Sequence, residues 1–246
     1  MAFYIKFSKP ITSYILKFKM FMGLKLVVSR RKKMVAYPDY IDIRKIGINR
    51  TGLTTGENCR YSLTINLGLT RRTLVFILMN PSAATENVSD VTVNNCIKYA
   101  INNNYSKVIV LNLFPFYISE GEELDNFLKN KSSNDLKIYL DRNIKEIEWI
   151  IENETKGSYE IILGTGWSWA NINKVDQLFI EQAQKIYELL QPKNVYAFKK
   201  GNNSFTGSRA SCKFTYHLGG NRSTKLENMK KFKVNIKCIN NEYRLQ

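Results

Sequence analysis

Two apolar runs in this chain each end in an asparagine. Residues 73–79 lead into Asn80, which is followed at once by Pro81 and Ser82. Residues 107–111 lead into Asn112, followed by Leu113 and Phe114. An amide side chain carries both donors and an acceptor, so it can hold a water or read the edge of a base. The plainer reading of Asn80-Pro81-Ser82 is a turn that terminates a strand. His217 is the single histidine and lies among Gly219, Gly220, Asn221 and Arg222, a composition that reads as an exposed loop. A neutral imidazole can donate to a departing anion and a charged one can stabilise it; a structural role is the alternative. Asp90 stands ten residues after Asn80 and just before a predicted helix. It is either the cap of that helix or a group that positions a water. Trp167, Trp169, Phe114 and Phe116 follow predicted strands. They are core residues or rings on which a base could stack.

Other chemistries lack their residues. The chain contains no GxxxxGK[ST], GxSxG or HExxH pattern, and Gly164-Thr165-Gly166 is not a GxGxxG fingerprint. Cys59, Cys96, Cys212 and Cys238 are far apart, form no CxxC pair and have one histidine beside them. Neither a structural zinc site nor a disulfide framework is expected. The expectation is a reduced, cytoplasmic protein with no metal and no cofactor.

The elements that must position these residues alternate. Short apolar runs of this kind read as strands of a parallel sheet buried on both faces. They are expected at 73–79, 107–112, 160–163 and 194–198. Helices are expected near 91–104, over 133–153 and near 174–190. Leu136, Leu140, Ile144, Ile147 and Ile151 recur at helical spacing in the second, and Ser133 is its expected N-cap. A mixed strand is expected over 59–67, with Gly47, Gly52 and Gly56 marking turns before it. Residues 119–132, with acids at Glu120, Glu122, Glu123 and Asp125, read as a loop. Residues 199–224 read as irregular, and 232–238 alternate like one last half-exposed strand. The sum is an α/β fold of three layers around a central, mainly parallel four-stranded sheet. In open α/β sheets the ligand sits at the carboxyl ends of the strands, where both asparagines fall.

The charge points to a polyanion. The 246 residues carry a formal net charge of +16, a surplus that draws a protein to nucleic acid and is silent on fold. Residues 1–38 contain nine Lys/Arg and no acid, and the remainder carries 28 basic and 21 acidic residues. The expected organisation is a basic extension over 1–35 and one domain over 36–246. The extension reads as an amphipathic segment for DNA or a membrane surface, a targeting peptide, or a plain tail before Met34. It has no uncharged stretch of about 18 residues, so no membrane span is expected. Lys199, Lys200, Arg209 and Arg222 are the expected DNA contacts, although paired lysines also suit an ordinary solvated face. The protein is expected to act as a monomer.

The order of motifs carries a resemblance. Arg60-Tyr61-Ser62-Leu63, then Asn80-Pro81-Ser82-Ala83-Ala84 with Asp90, Asn112-Leu113-Phe114, Asn134-Asp135, a glycine-rich Trp turn and a late His217-Leu218 resemble the domain-of-unknown-function 1643 family over about residues 59–220. More distantly, the order resembles the uracil-DNA glycosylase superfamily. There a first strand leads into a water-activating loop, a second ends in a base-reading asparagine, and a late histidine loop enters the minor groove. Asn80, Asn112 and His217 match those places in order; Leu218 replaces the proline of that late loop. The resemblance implies a DNA glycosylase. Asn80 would hold the water, with Asp90, and Asn112 would read a flipped base. Pro81, Ser82, Phe114 or Trp167 would line the base site, and His217 would stabilise the leaving group. It also implies double-stranded, base-modified DNA as substrate, such as phage DNA with hypermodified cytosine. A non-catalytic nucleic-acid-binding protein and a nucleoside or nucleotide hydrolase are the rival readings.

Overall fold

The strand signals are strongest where residues are apolar and β-branched, and that is where the main sheet forms. The computed structural model describes residues 34–51, 58–68, 71–118, 121–155, 157–166, 173–191, 193–198, 206–209, 212–215, 218, 226 and 229–246. In chain order the elements are β1 (Met34–Val35), a 3-10 turn at Ile43–Lys45, β2 (Ile46–Arg50), β3 (Arg60–Asn66), β4 (Arg72–Leu78), β5 (Ser89–Asp90), α1 (Val91–Asn102), β6 (Lys107–Asn112), α2 (Gly121–Asn130), α3 (Ser133–Asn153), β7 (Ser158–Gly164), α4 (Asn173–Leu190), β8 (Val195–Phe198), β9 (Thr206–Arg209), β10 (Cys212–Phe214), β11 (Lys231–Val234), β12 (Ile236–Ile239) and β13 (Glu242–Leu245).

The main sheet has seven strands in the order β11-β8-β7-β4-β6-β3-β2. Strands β8, β7, β4 and β6 pair in parallel. Strands β11, β3 and β2 add antiparallel pairings outside them. The expected four-stranded sheet is therefore the middle of a larger, mixed one. The sequence reading stopped short because the flanking strands are less apolar: β2 is Ile-Gly-Ile-Asn-Arg and β11 is Lys-Phe-Lys-Val. Gly47, read as a turn, lies inside β2 opposite Thr64.

Alternation along the central strands feeds two cores. Val75 and Ile77 of β4 pack with the inward residues of α2, α3 and α4. Leu74, Phe76 and Leu78 pack with Val93, Cys96, Ile97 and Ala100 of α1 and with Tyr37 and Ile41. Helices thus cover both faces, and full burial of each aliphatic side chain contributes about 1.5–3 kcal/mol. The central strands consequently read as continuous apolar runs rather than alternating ones.

Two further differences from the sequence reading have simple causes. Residues 121–130 form a helix, not a loop. Glu122 and Glu123 occupy its first turn, where the helix dipole favours acids, and Leu124 and Leu128 are buried one turn apart. The single last strand is two strands broken at Asn235. β11 joins the main sheet, whereas β12 pairs with β13 in a hairpin whose ladder ends in the Asn235–Gln246 pair. Its turn residues Asn240 and Asn241 have φ of 53° and 62°, the left-handed pair that a two-residue hairpin turn requires.

Candidate active site

The loop after β4 is built around a buried carboxylate. Asp90 is the N-cap of α1 and accepts from the Val93 N–H at 2.8 Å. Its other oxygen accepts from the Ser82 hydroxyl and from the N–H groups of Ala83 and Ala84 at 3.4 and 3.3 Å. One side chain therefore satisfies the orphan donors of a helix start and pins the Pro81–Ala84 turn against it. Burial pushes this carboxyl up, but the Ser82 and Val93 hydrogen bonds, the Arg60 charge and the Ala83 N–H outweigh it and hold the group below the usual carboxylate range. The carbonyl side of the same turn is tied as well. Arg60 Nη1 and the Tyr117 hydroxyl both donate to Ala84 O at 3.0 Å. The Tyr37 hydroxyl donates to Thr85 O at 2.6 Å.

Asn80 sits where β4 runs out. Its Nδ2 donates to Ile118 O and, at 3.2 Å, to Pro81 O. The amide is thereby oriented, with its Oδ1 taking no hydrogen bond from a described residue. Ile118 belongs to the segment that follows β6, so Asn80 also ties the two strand-end loops together. The ladder continues there, with the Leu113 N–H donating to Leu78 O at 2.7 Å and the Phe114 N–H to Met79 O at 2.8 Å.

Asn112 lies opposite Leu78 in the parallel register, on the neighbouring strand. Asn112 is 0% exposed, and neither its Nδ2 nor its Oδ1 has a hydrogen-bond partner among the described residues. Leaving a buried polar group unpaired costs about 1–3 kcal/mol, so both ends of this amide require an explanation. Phe114, two residues on, is packed in the core with its ring edge-to-face on Phe179 at 6.1 Å. Pro81 is buried in the turn and Ser82 is half-buried.

The end of β7 completes this edge. The Thr165 N–H donates to Thr215 Oγ1 at 3.2 Å, and the Leu218 N–H donates to Gly164 O at 3.4 Å. Leu218 also sits on Gly164 so closely that an added Cβ would fall well inside contact with its Cγ and Cδ1, and 3.2 Å from Leu78 Cδ2. Replacing Gly164 by alanine is therefore expected to displace Leu218 and lower the melting temperature by several degrees, a cost of about 1–3 kcal/mol for overpacking. Thermal unfolding followed by circular dichroism checks this. An unchanged midpoint would mean that the late segment is not seated on the strand.

Asn80, Pro81, Ser82, Asp90 and Asn112 thus come together at the carboxyl end of β4 and β6. Trp167, Lys199, Lys200, His217 and Arg222 lie outside the described residues, as does the side chain of Arg209. Three further residues build the site. Arg60 is a cation only 1% exposed, beneath the Asn80 turn, and the Arg-Tyr-Ser-Leu strand gave no sign of that. Asn143 stands in the inward stripe of α3 between Leu140 and Ile147. A polar residue in an otherwise apolar stripe was the available signal. Glu146, one turn on, accepts from Ser62 Oγ and Asn49 Nδ2, each at 2.6 Å, and so fastens α3 to β2 and β3. Among the described residues no group of three or more His, Cys, Asp or Glu side chains is placed to hold a metal ion. No helix among them is long and apolar enough to cross a membrane.

Compared with known proteins, residues 60–205 match a family model described as a protein of unknown function, DUF1643. No curated protein and no solved structure matches the chain.

Proposed function

Starting from the DUF1643 family, to which this chain belongs, we propose that the protein is a DNA glycosylase that hydrolyses the N-glycosidic bond of a flipped, modified base and leaves an abasic site. The observation that carries this reading is the Asn112 amide, fully buried with both polar atoms unpaired among the described residues. A planar heterocycle that offers one donor and one acceptor on the same edge would satisfy both ends of it. Asn80 supplies the second part. Its N–H groups are spent on Ile118 O and Pro81 O, which leaves Oδ1 as an acceptor for the attacking water.

The chemistry needs little more. The bond from the sugar C1′ to the base nitrogen breaks, the electron pair leaves with the base, and water adds to the oxocarbenium-like centre and gives up a proton, which returns through solvent to the base nitrogen. Asn80 would orient that water, and Asp90 would act through the turn it pins. His217 would stabilise the departing base. With Phe114 held in the core, Trp167 is the stronger candidate for stacking. Flipping the base costs a few kcal/mol, which phosphate contacts by a basic surface offset. Lys199, Lys200, Arg209 and Arg222 are proposed for those contacts. The more distant likeness to the uracil-DNA glycosylase superfamily belongs to this proposal, as does hypermodified phage DNA as the substrate, with a role in defence. The rival is a nucleic-acid-binding protein that keeps the fold without the chemistry.

The test is incubation with duplexes carrying uracil, ordinary bases and phage-type modified bases, followed by alkali to cleave abasic sites. Alkali-labile sites and released free base are expected with at least one modified substrate, and EDTA should leave the rate unchanged. Binding without base release across the whole panel would favour the rival, and loss of activity in EDTA would point to a nuclease.

A further inference from the structure

Asn143 is fully buried in the middle of α3, in a stripe otherwise made of Leu136, Leu140, Ile147, Ile150 and Ile151. Leucine at this place would bury more apolar surface and bring no polar atom of its own into the core. The amide instead donates through Nδ2 to two successive carbonyls, Asn112 O at 2.9 Å and Leu113 O at 3.2 Å, while its Oδ1 is buried without a partner among the described residues. Two acceptors against one nitrogen fix which way this amide points. The carbonyls it takes belong to the last residue of β6 and the next one, where the strand leaves the sheet.

On β6, Val108 and Val110 pack in the α1-side core and Ile109 and Leu111 in the α3-side core. Strand alternation continues the first series to Asn112. Asn143 therefore grips the main chain from the α3 side, while the Asn112 side chain belongs to the opposite face. We propose that Asn143 is a positioning residue, which holds the Asn112–Leu113 peptides so that the Asn112 amide meets its ligand from a rigid mount. The role rests on the glycosylase reading for its purpose but not for its geometry. Misplacement of a reading group by about 1 Å can cost about a hundredfold in rate, which gives a reason to keep a costly polar residue in an apolar stripe.

Two measurements on Asn143→Leu test it. The first is amide hydrogen exchange by NMR. The Leu113 and Phe114 N–H groups donate to Leu78 O and Met79 O. Their exchange should accelerate about tenfold or more as the strand end loosens, while Phe76 and Val110 in the sheet centre keep wild-type protection. The second is single-turnover base release on the best modified duplex and on one competing base. Discrimination between the two should fall about tenfold or more, with duplex affinity unchanged. A merely structural role would change exchange throughout the sheet and leave discrimination alone. Unchanged exchange at Leu113 and Phe114 overturns the proposal, as does loosened exchange with unchanged discrimination. Loosened exchange in a protein whose wild type releases no base supports the mount and rejects the glycosylase reading. Should Asn143→Leu fail to fold, Asn143→Ser, which keeps one donor on a shorter side chain, is measured in the same two ways.

Discussion

Asn80→Ala is expected to slow base release by about a hundredfold while leaving duplex binding within about twofold. The water and the sugar cation matter chiefly in the transition state, so an acceptor that orients the water acts on the chemical step rather than on binding. The substitution also removes the donor to Ile118 O and Pro81 O. A lost hydrogen bond costs about 1 kcal/mol, so losing these two is too little to unfold a turn that Asp90, Arg60, Tyr117 and Tyr37 hold from other sides. Single-turnover rates and binding isotherms on the same modified duplex decide the matter. A wild-type rate would remove Asn80 from the mechanism even if the protein proves to be a glycosylase. Weakened binding at an unchanged rate would make it a binding residue instead.

Asp90→Ala is expected to be the most destabilising single change at this site, by about 3 kcal/mol or more, since each buried donor left unsatisfied costs about 1–3 kcal/mol. It leaves Ser82 Oγ and the N–H groups of Ala83, Ala84 and Val93 without their acceptor. It also removes a negative charge that interacts favourably with the buried guanidinium of Arg60. Urea unfolding measures the loss directly, and a drop below about 1 kcal/mol would show that the carboxylate is not the keystone of the turn. The pH dependence follows from the direction of its shift. The folded carboxyl is held below its unfolded value, so its contribution is complete above about pH 3.9, the ordinary carboxylate value. It is lost as pH falls through the folded value. Subtracting the acid limb of Asp90→Asn from that of the wild type should isolate this loss. A difference that is flat from neutral pH through the acid limb would contradict the assignment.

How much of this could be read from the sequence varies with the physics of each element. The four central strands and the long helix 133–153 were legible because both faces of the strands and one stripe of the helix are buried, and burial writes itself into the chain as a period. The Asn80 and Asn112 positions were legible for the same reason, since each ends an apolar run whose place in a parallel sheet follows from the run itself. The edges were not. Strands β2 and β11 are half polar, and what makes them strands is pairing with β3 and β8. Helix 121–130 hid behind acids that its dipole favours. Residues whose meaning depends on a partner far along the chain were also out of reach. Arg60 looks like a surface residue until the turn 24 residues later closes over it to Ala84. Asp90 could be read as a cap, but not as the anchor of Ser82, Ala83 and Ala84. Asn143 is a defect in a stripe until the end of β6, about thirty residues earlier, presents two carbonyls to it. The alternation of elements, the apolar cores and the two strand-end amides are written in the chain, because local periodicity and burial carry that information. Which amide is pinned, and which finds no partner among the described residues, depends on the fold, because hydrogen bonds between distant segments exist once the strands have taken their register.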